Sequence, residues 1–280
     1  MKKRYRWTAA CCTALLCFGC GTDSDGILRP ISTGSSTETT ANMAETTAAV
    51  TETTAAETTT TAGDDSVTRS GDLCLIEGVP HLAQSQTYAT ACESLAATEL
   101  LQYYGYDIDV DTFIEQYLPV ADYPEQGEDG VLHAESPWNY FIGDPSRSNG
   151  YGCYSGAIET AVNTMVPGLA FTEIGTPLET LCKTYIDCGT PVIIWATIGM
   201  QPVQEGHSWF LPDGSWFTYL RPEHALVLVG YDADSYYFVD SLSDEEITAY
   251  DRADVETAYE ALYAQAVVFY PKINASAGDA

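Results

Sequence analysis

Positive charge is what this chain has least of. Its 280 residues hold 11 Lys and Arg against 40 Asp and Glu, a formal net charge of −29. Past residue 72 the only basic side chains are Arg147, Lys183, Arg221, Arg252 and Lys272. Such a surface repels phosphate backbones and anionic headgroups, which excludes nucleic-acid binding and docking onto an anionic membrane. Neutral and basic ligands stay open. Long apolar runs are missing too: beyond the N-terminal stretch none approaches the roughly 20 residues that span a bilayer. Histidine is scarce, with four in all, and no Cys/His group has zinc-ligand spacing. Asp232 and Asp234 begin a calcium-loop pattern without completing it, and a turn accounts for them better. No metal or other cofactor is called for.

What is present divides the chain into four parts. Lys2, Lys3, Arg4 and Arg6 precede an apolar middle from Ala9 to Phe18, and Gly19 precedes Cys20. Residues 1–19 therefore read as a signal peptide. The ending Leu16-Cys17-Phe18-Gly19-Cys20 resembles a bacterial lipobox, whose last Cys becomes the lipidated N-terminus, although Cys17 stands where Leu is usual. The expectation is an exported lipoprotein on the outer face of the cell membrane, held only by lipid on Cys20. Residues 20–72 are Thr-rich, with Glu-Thr-Thr-Ala at 38–41, 45–48 and 52–55. No apolar stripe accompanies the repeat, so it makes no coiled coil and reads as a disordered linker. Residues 273–280 read as a disordered tail. Residues 73–272 have the length and apolar content of one domain.

Within that domain the patterns predict helices near 91–104, 109–117, 155–166, 177–188 and 251–263. β-branched and aromatic runs predict strands at 191–198, 225–230, 236–240 and 266–270, with two shorter arms, 209–211 and 216–219, around Pro212-Asp213-Gly214-Ser215. Helices first and antiparallel strands later make an α+β domain. The aromatic arms either rim a cleft or pack on the sheet, and packing is the better account.

Two local arguments meet on one chemistry. Thr90 and Glu93 have the spacing of a capping box, which puts Cys92 in the first turn of a helix, where the dipole favours a thiolate. Downstream, a turn at Tyr231–Ser235 joins the strands 224–230 and 236–240. Pairing centred on residue 232 sets His224 opposite Asp240, a base beside an orienting carboxylate.

The segments VPHLAQSQTYATACESLAATELLQYYGY, YGCYSGAIETAVN, GTPVIIWATI, HALVLVGYDADSYYFVDSL and AVVFYP together resemble the bacterial C39-like peptidases. These are papain-clan cysteine peptidases related to bacteriocin leader peptidases. The resemblance implies a papain-like fold, with a Cys-bearing helical part packed on an antiparallel sheet. It implies Cys92 as nucleophile, His224 as base and acid, and Asp240 as the orienting residue, acting on a peptide or protein substrate. For the oxyanion hole the family's pattern selects Gln84 and papain spacing selects Gln86; Gln84 is favoured. Two other readings stay open: a papain-like surface module without catalysis, and another thiol acyl-transfer enzyme such as a murein endopeptidase. In an exported protein the even set Cys74, Cys153, Cys182 and Cys188 suggests at least one disulfide.

Overall fold

The computed structural model describes residues 66–84 and 86–270, with Gln86 described in its backbone only. The signal peptide, Cys20, most of the linker, the tail and the Gln86 side chain therefore lie outside the described residues.

The domain has five helices among the described residues. They are α1 (Cys92–Tyr103), α2 (Val110–Gln116), α3 (Ser155–Met165), α4 (Leu178–Thr184) and α5 (Arg252–Ala261). The first ten residues of α1 are all buried, so the helix shows no single apolar stripe. It stops at Gly105, whose φ of +83° lets the chain reverse while Tyr106 N–H reaches back to the Leu101 carbonyl. Asp109 caps α2 by accepting from Thr112 N–H, and Asp251 caps α5 through Ala253 and Asp254 N–H. α4 ends earlier than expected: a 3-10 turn, Ile186–Cys188, follows it and closes on Gly189 at φ +74°.

The main sheet has eight strands. They are β1 (Val67–Ser70), β2 (Leu73–Ile76), β3 (Ala170–Ile174), β4 (Val192–Thr197), β7 (Glu223–Tyr231), β8 (Ser235–Val239), β9 (Thr248–Asp251) and β10 (Gln265–Phe269). Its order is β1-β2-β7-β4-β10-β3, with β8 on the other edge of β7 and β9 beyond it, and every pairing is antiparallel. β4 and β10 are buried along their whole length, as apolar runs without alternation require. α1 packs against β7 and α5 against β4. A smaller sheet holds β5 (Gln204–Phe210), β6 (Trp216–Arg221) and two two-residue strands. The mixed helices and antiparallel sheet are the expected α+β architecture.

Three expectations need correction. The linker was expected to reach residue 72, yet Val67–Ser70 pairs with β2 across a turn at Gly71, φ +61°, so the fold starts before that boundary. Two β-branched residues among polar ones are too weak a strand signal to stand out from a Thr-rich stretch. The aromatic arms lengthen into β5 and β6, and most of their rings pack: Trp209 is fully buried and Tyr219 nearly so, while Trp216 is exposed. Finally, Cys74, Cys153 and Cys182 are free thiols. Cys188 is disulfide-bonded, so a disulfide is present as expected, but with the other three cysteines free no bridge joins any two of that set. Cys153 sits beside Glu93, whereas Cys74 and Cys182 line one pocket with Arg69 and stay unbridged.

The β7–β8 hairpin carries a β-bulge. Tyr231 pairs with Tyr236 and Gly230 with Tyr237, but Leu228 pairs with Phe238 and Val227 with Val239. The register thus shifts by one around Val229. Asp232 closes the turn by accepting from Asp234 N–H, Ser235 N–H and the Tyr237 hydroxyl, which confirms it as a turn residue.

Candidate active site

Cys92 is the first helical residue of α1, so its backbone N–H lies outside the helix's own ladder and is available to a ligand. The expected capping box does not form. Ala91 occupies the cap position with no side-chain hydrogen bond. Thr90 instead turns its hydroxyl to the Arg147 carbonyl at 3.0 Å, tying the helix start to the 144–147 loop. Glu93 points inward, where its carboxylate accepts from Cys153 N–H at 2.5 Å. Both side chains that would have capped the helix are committed elsewhere.

His224 enters near the start of β7, with 1% of its surface exposed. Continuing the Val227–Val239 pairing puts Asp240 opposite Leu226, so His224 and Asp240 are diagonal neighbours on one face and not directly opposed as expected. The diagonal is close enough: His224 Nε2 lies 2.7 Å from Asp240 Oδ1. Asp240 also accepts from the Leu242 N–H at 2.9 Å and from the Tyr250 hydroxyl at 2.7 Å. Burial pushes its carboxyl up, but the hydrogen bonds from His224, Tyr250 and Leu242 outweigh burial and bring it down to about 2. An ionised Asp240 accepts a hydrogen bond from His224 Nε2–H, which leaves the Nδ1 lone pair to act as base.

Cys92, His224 and Gln84 line a single cavity of about 380 Å³, with Tyr151, Arg221 and Leu242 at other parts of its wall. Gln84 is held on both sides of its amide: Nε2 donates to the Ala89 carbonyl at 2.9 Å, and Oε1 accepts from Ser241 at 3.2 Å. Its backbone N–H bonds the Ser241 carbonyl, so the segment bearing Gln84 is stitched to the residue after Asp240. Among the described Lys and Arg residues, Arg69, Arg147, Lys183 and Arg252 have carboxylate partners within 4.0 Å, whereas Arg221 on the cavity wall has none.

Three supporting residues carry no sequence signal. Tyr250 comes from β9, a strand whose pairing is visible only in the fold. His81 sets Nε2 3.0 Å from the Asp240 carbonyl. Glu99, buried on α1, accepts from Leu82 N–H at 2.8 Å and so anchors the segment leading to Gln84; burial raises its carboxyl to about 8.

The thiol itself departs from expectation. Burial pushes Cys92 well above the ordinary thiol value, and the nearby Glu93 and Glu223 carboxyls push it further, against a smaller opposing effect of the Ala225 N–H. The helix start does not offset this, because a fully buried thiolate beside carboxyls costs more than the dipole returns. Cys92, Glu93 and Glu223 are also the described donors close enough to share a cation, with one ligand atom from each lying within 4.8 Å of the others. All three are pushed towards their protonated forms, whereas metal ligands must be deprotonated.

A family model described as the Peptidase C39 like family matches residues 76–267. The chain is 27% identical to a Bacillus anthracis protein of known crystal structure described as a putative C39-like peptidase, with a TM-score of 0.63 over 72% of this chain and 98% of that one. It is 28% identical over 178 residues to YvpB, an uncharacterized protein of Bacillus subtilis strain 168, which covers 63% of this chain and 68% of YvpB.

Proposed function

The chain belongs to the Peptidase C39 like family, and on that footing we propose that it is a cysteine peptidase working through Cys92, His224 and Asp240. The observation that carries the reading is the 2.7 Å contact between His224 and Asp240 behind a cavity that His224 shares with Cys92 and Gln84. In this scheme His224 Nδ1 takes the thiol proton as Cys92 Sγ attacks the scissile carbonyl. The developing oxyanion is met by the Cys92 N–H and the Gln84 amide. His224 then gives its proton to the departing amine, leaving a thioester on Cys92. Water, activated by the same imidazole, hydrolyses the thioester and restores the thiol. Asp240 stays ionised throughout and fixes the ring.

The protonated resting thiol favours a second reading, a papain-like surface module that binds without cleaving. A digestion panel of unstructured peptides and muropeptides separates the readings, with Cys92→Ala as the control. Cleavage of peptides that vanishes in Cys92→Ala supports the peptidase. Cleavage confined to muropeptides moves the assignment to a murein endopeptidase, and no cleavage of either supports the binding module.

We further propose that the domain is displayed outside the cell on a Thr-rich stalk lipidated at Cys20, a reading supported by the basic, apolar and lipobox-like pattern of residues 1–20. A Cys20→Ser variant should leave the membrane fraction. Full retention of that variant would mean another anchor holds the chain.

A further inference from the structure

Beneath the cleft lies a buried acidic group that the proposed reaction does not use. Glu93 has no exposed surface. Its Oε1 accepts from Cys153 N–H, and its Oε2 is 3.4 Å from the Cys92 sulfur. Glu223, adjacent to His224 in β7, receives the Tyr219 hydroxyl on Oε2 at 3.0 Å. Its Oε1 is shut off from solvent and has no hydrogen-bond partner. The fold keeps this space open with a glycine: a Cβ on Gly152 would fall 2.6 Å from Glu93 Oε1, 2.8 Å from Glu223 Oε2 and 2.9 Å from the Tyr219 hydroxyl. Gly152 also holds a φ of +99°, which a side chain would strain. The other titratable groups around the pair are Cys153 and Tyr154 before α3, Tyr219 on β6, and His224 on β7. None of them carries a fixed positive charge.

We propose that Glu93 and Glu223, with carboxylate oxygens and the Cys92 sulfur all within 4.8 Å of one another, form a coupled carboxyl pair that holds Cys92 as the thiol and so sets the pH at which the site acts. Two carboxylates within 4.8 Å of one another in a largely buried site resist ionising together. The single negative charge belongs on Glu93, which has the Cys153 N–H to stabilise it, and Glu223 keeps the proton. Burial raises both carboxyls, Glu93 to about 7. An ionised Glu93 next to the sulfur opposes a second negative charge there, so Cys92 keeps its proton until His224 draws it off or the pair is neutralised. Glu93 and Glu223 are thus positioning residues acting through Cys92. The inference rests on Cys92 being the nucleophile, but its test does not need turnover.

The experiment is the rate of iodoacetamide alkylation of Cys92 against pH in the full chain, read by peptide mapping. Wild-type protein should inflect above about 8.5, the free-thiol value. Glu93→Gln keeps an acceptor for Cys153 N–H but removes the charge, and should move the inflection down by about one pH unit, making alkylation about tenfold faster at pH 7. Glu223→Gln removes the neighbouring carboxyl, so Glu93 stays ionised to lower pH and alkylation between pH 6 and 7 should slow. A generally loosened core would speed both variants without separating them. A wild-type inflection below the free-thiol value, or two variants that superimpose on wild type, overturns the proposal; the wild-type profile alone decides it if a variant fails to fold. These profiles in a chain that cleaves nothing would defeat the peptidase reading and leave the pair standing.

Discussion

Asp240 collects three donors, and each sets part of its charge and aim. Removing one hydrogen bond to a charged group costs roughly 1.5–3 kcal/mol. Tyr250→Phe should therefore lower kcat about tenfold or more with KM unchanged, while Asp240→Ala lowers it further and Cys92→Ala abolishes turnover; steady-state kinetics on one peptide checks all three. The buried carboxyls make the opposite contributions to stability. Glu99 is raised in the fold from 4.5 to about 8, so its contribution is full below 4.5 and is lost as pH climbs through 8. Asp240 is lowered from 3.8 to about 2, so its contribution is full above 3.8 and is lost as pH falls through 2. The melting temperature should fall between pH 5 and 8.5, and Glu99→Gln should flatten that fall. The closeness of His224 and Asp240 was legible because one short hairpin joins their strands. Tyr250, His81 and Glu99 were not, since their roles depend on contacts between segments far apart in sequence.

At the level of elements, buried apolar runs announced themselves and edge strands did not. β4, β7 and β10 are apolar runs at the sheet's centre, and the sequence marks each. β1, β3 and β9 are half-exposed edge segments, whose mixed composition matches that of loops. The start of α1 shows the same limit. Thr90 and Glu93 fit a capping pattern, but tertiary partners claimed both side chains. It follows that Thr90→Ala should not fray α1 as loss of a cap would. It should cost about 1 kcal/mol or less and raise hydrogen exchange in the 144–147 loop, with α1 protection unchanged.

Across the whole molecule, charge is the property that composition states outright. A net charge of −29 surrounds a cleft whose wall carries Arg221, the described basic residue with no carboxylate partner in reach. The long-range field should draw cationic peptides, so their kcat/KM should drop as salt rises from about 0.05 to 0.5 M, over which screening shortens several-fold. An uncharged peptide of equal length should show little change, and equal salt curves for the two would show that the field plays no part in encounter.

The bulge at Val229 gives the hairpin something like a reading frame. Were Val229 paired in the ladder and not bulged, the pairing of Tyr231 with Tyr236 would run on unbroken and carry Asp240 opposite Val227, on the face away from His224. The proximity of base and carboxylate is therefore stored as a parity, an odd residue counted into one strand, and no contact at the site itself encodes it. Losing the bulge while keeping its residue is a frameshift in space: every side chain survives, and the site loses its alignment.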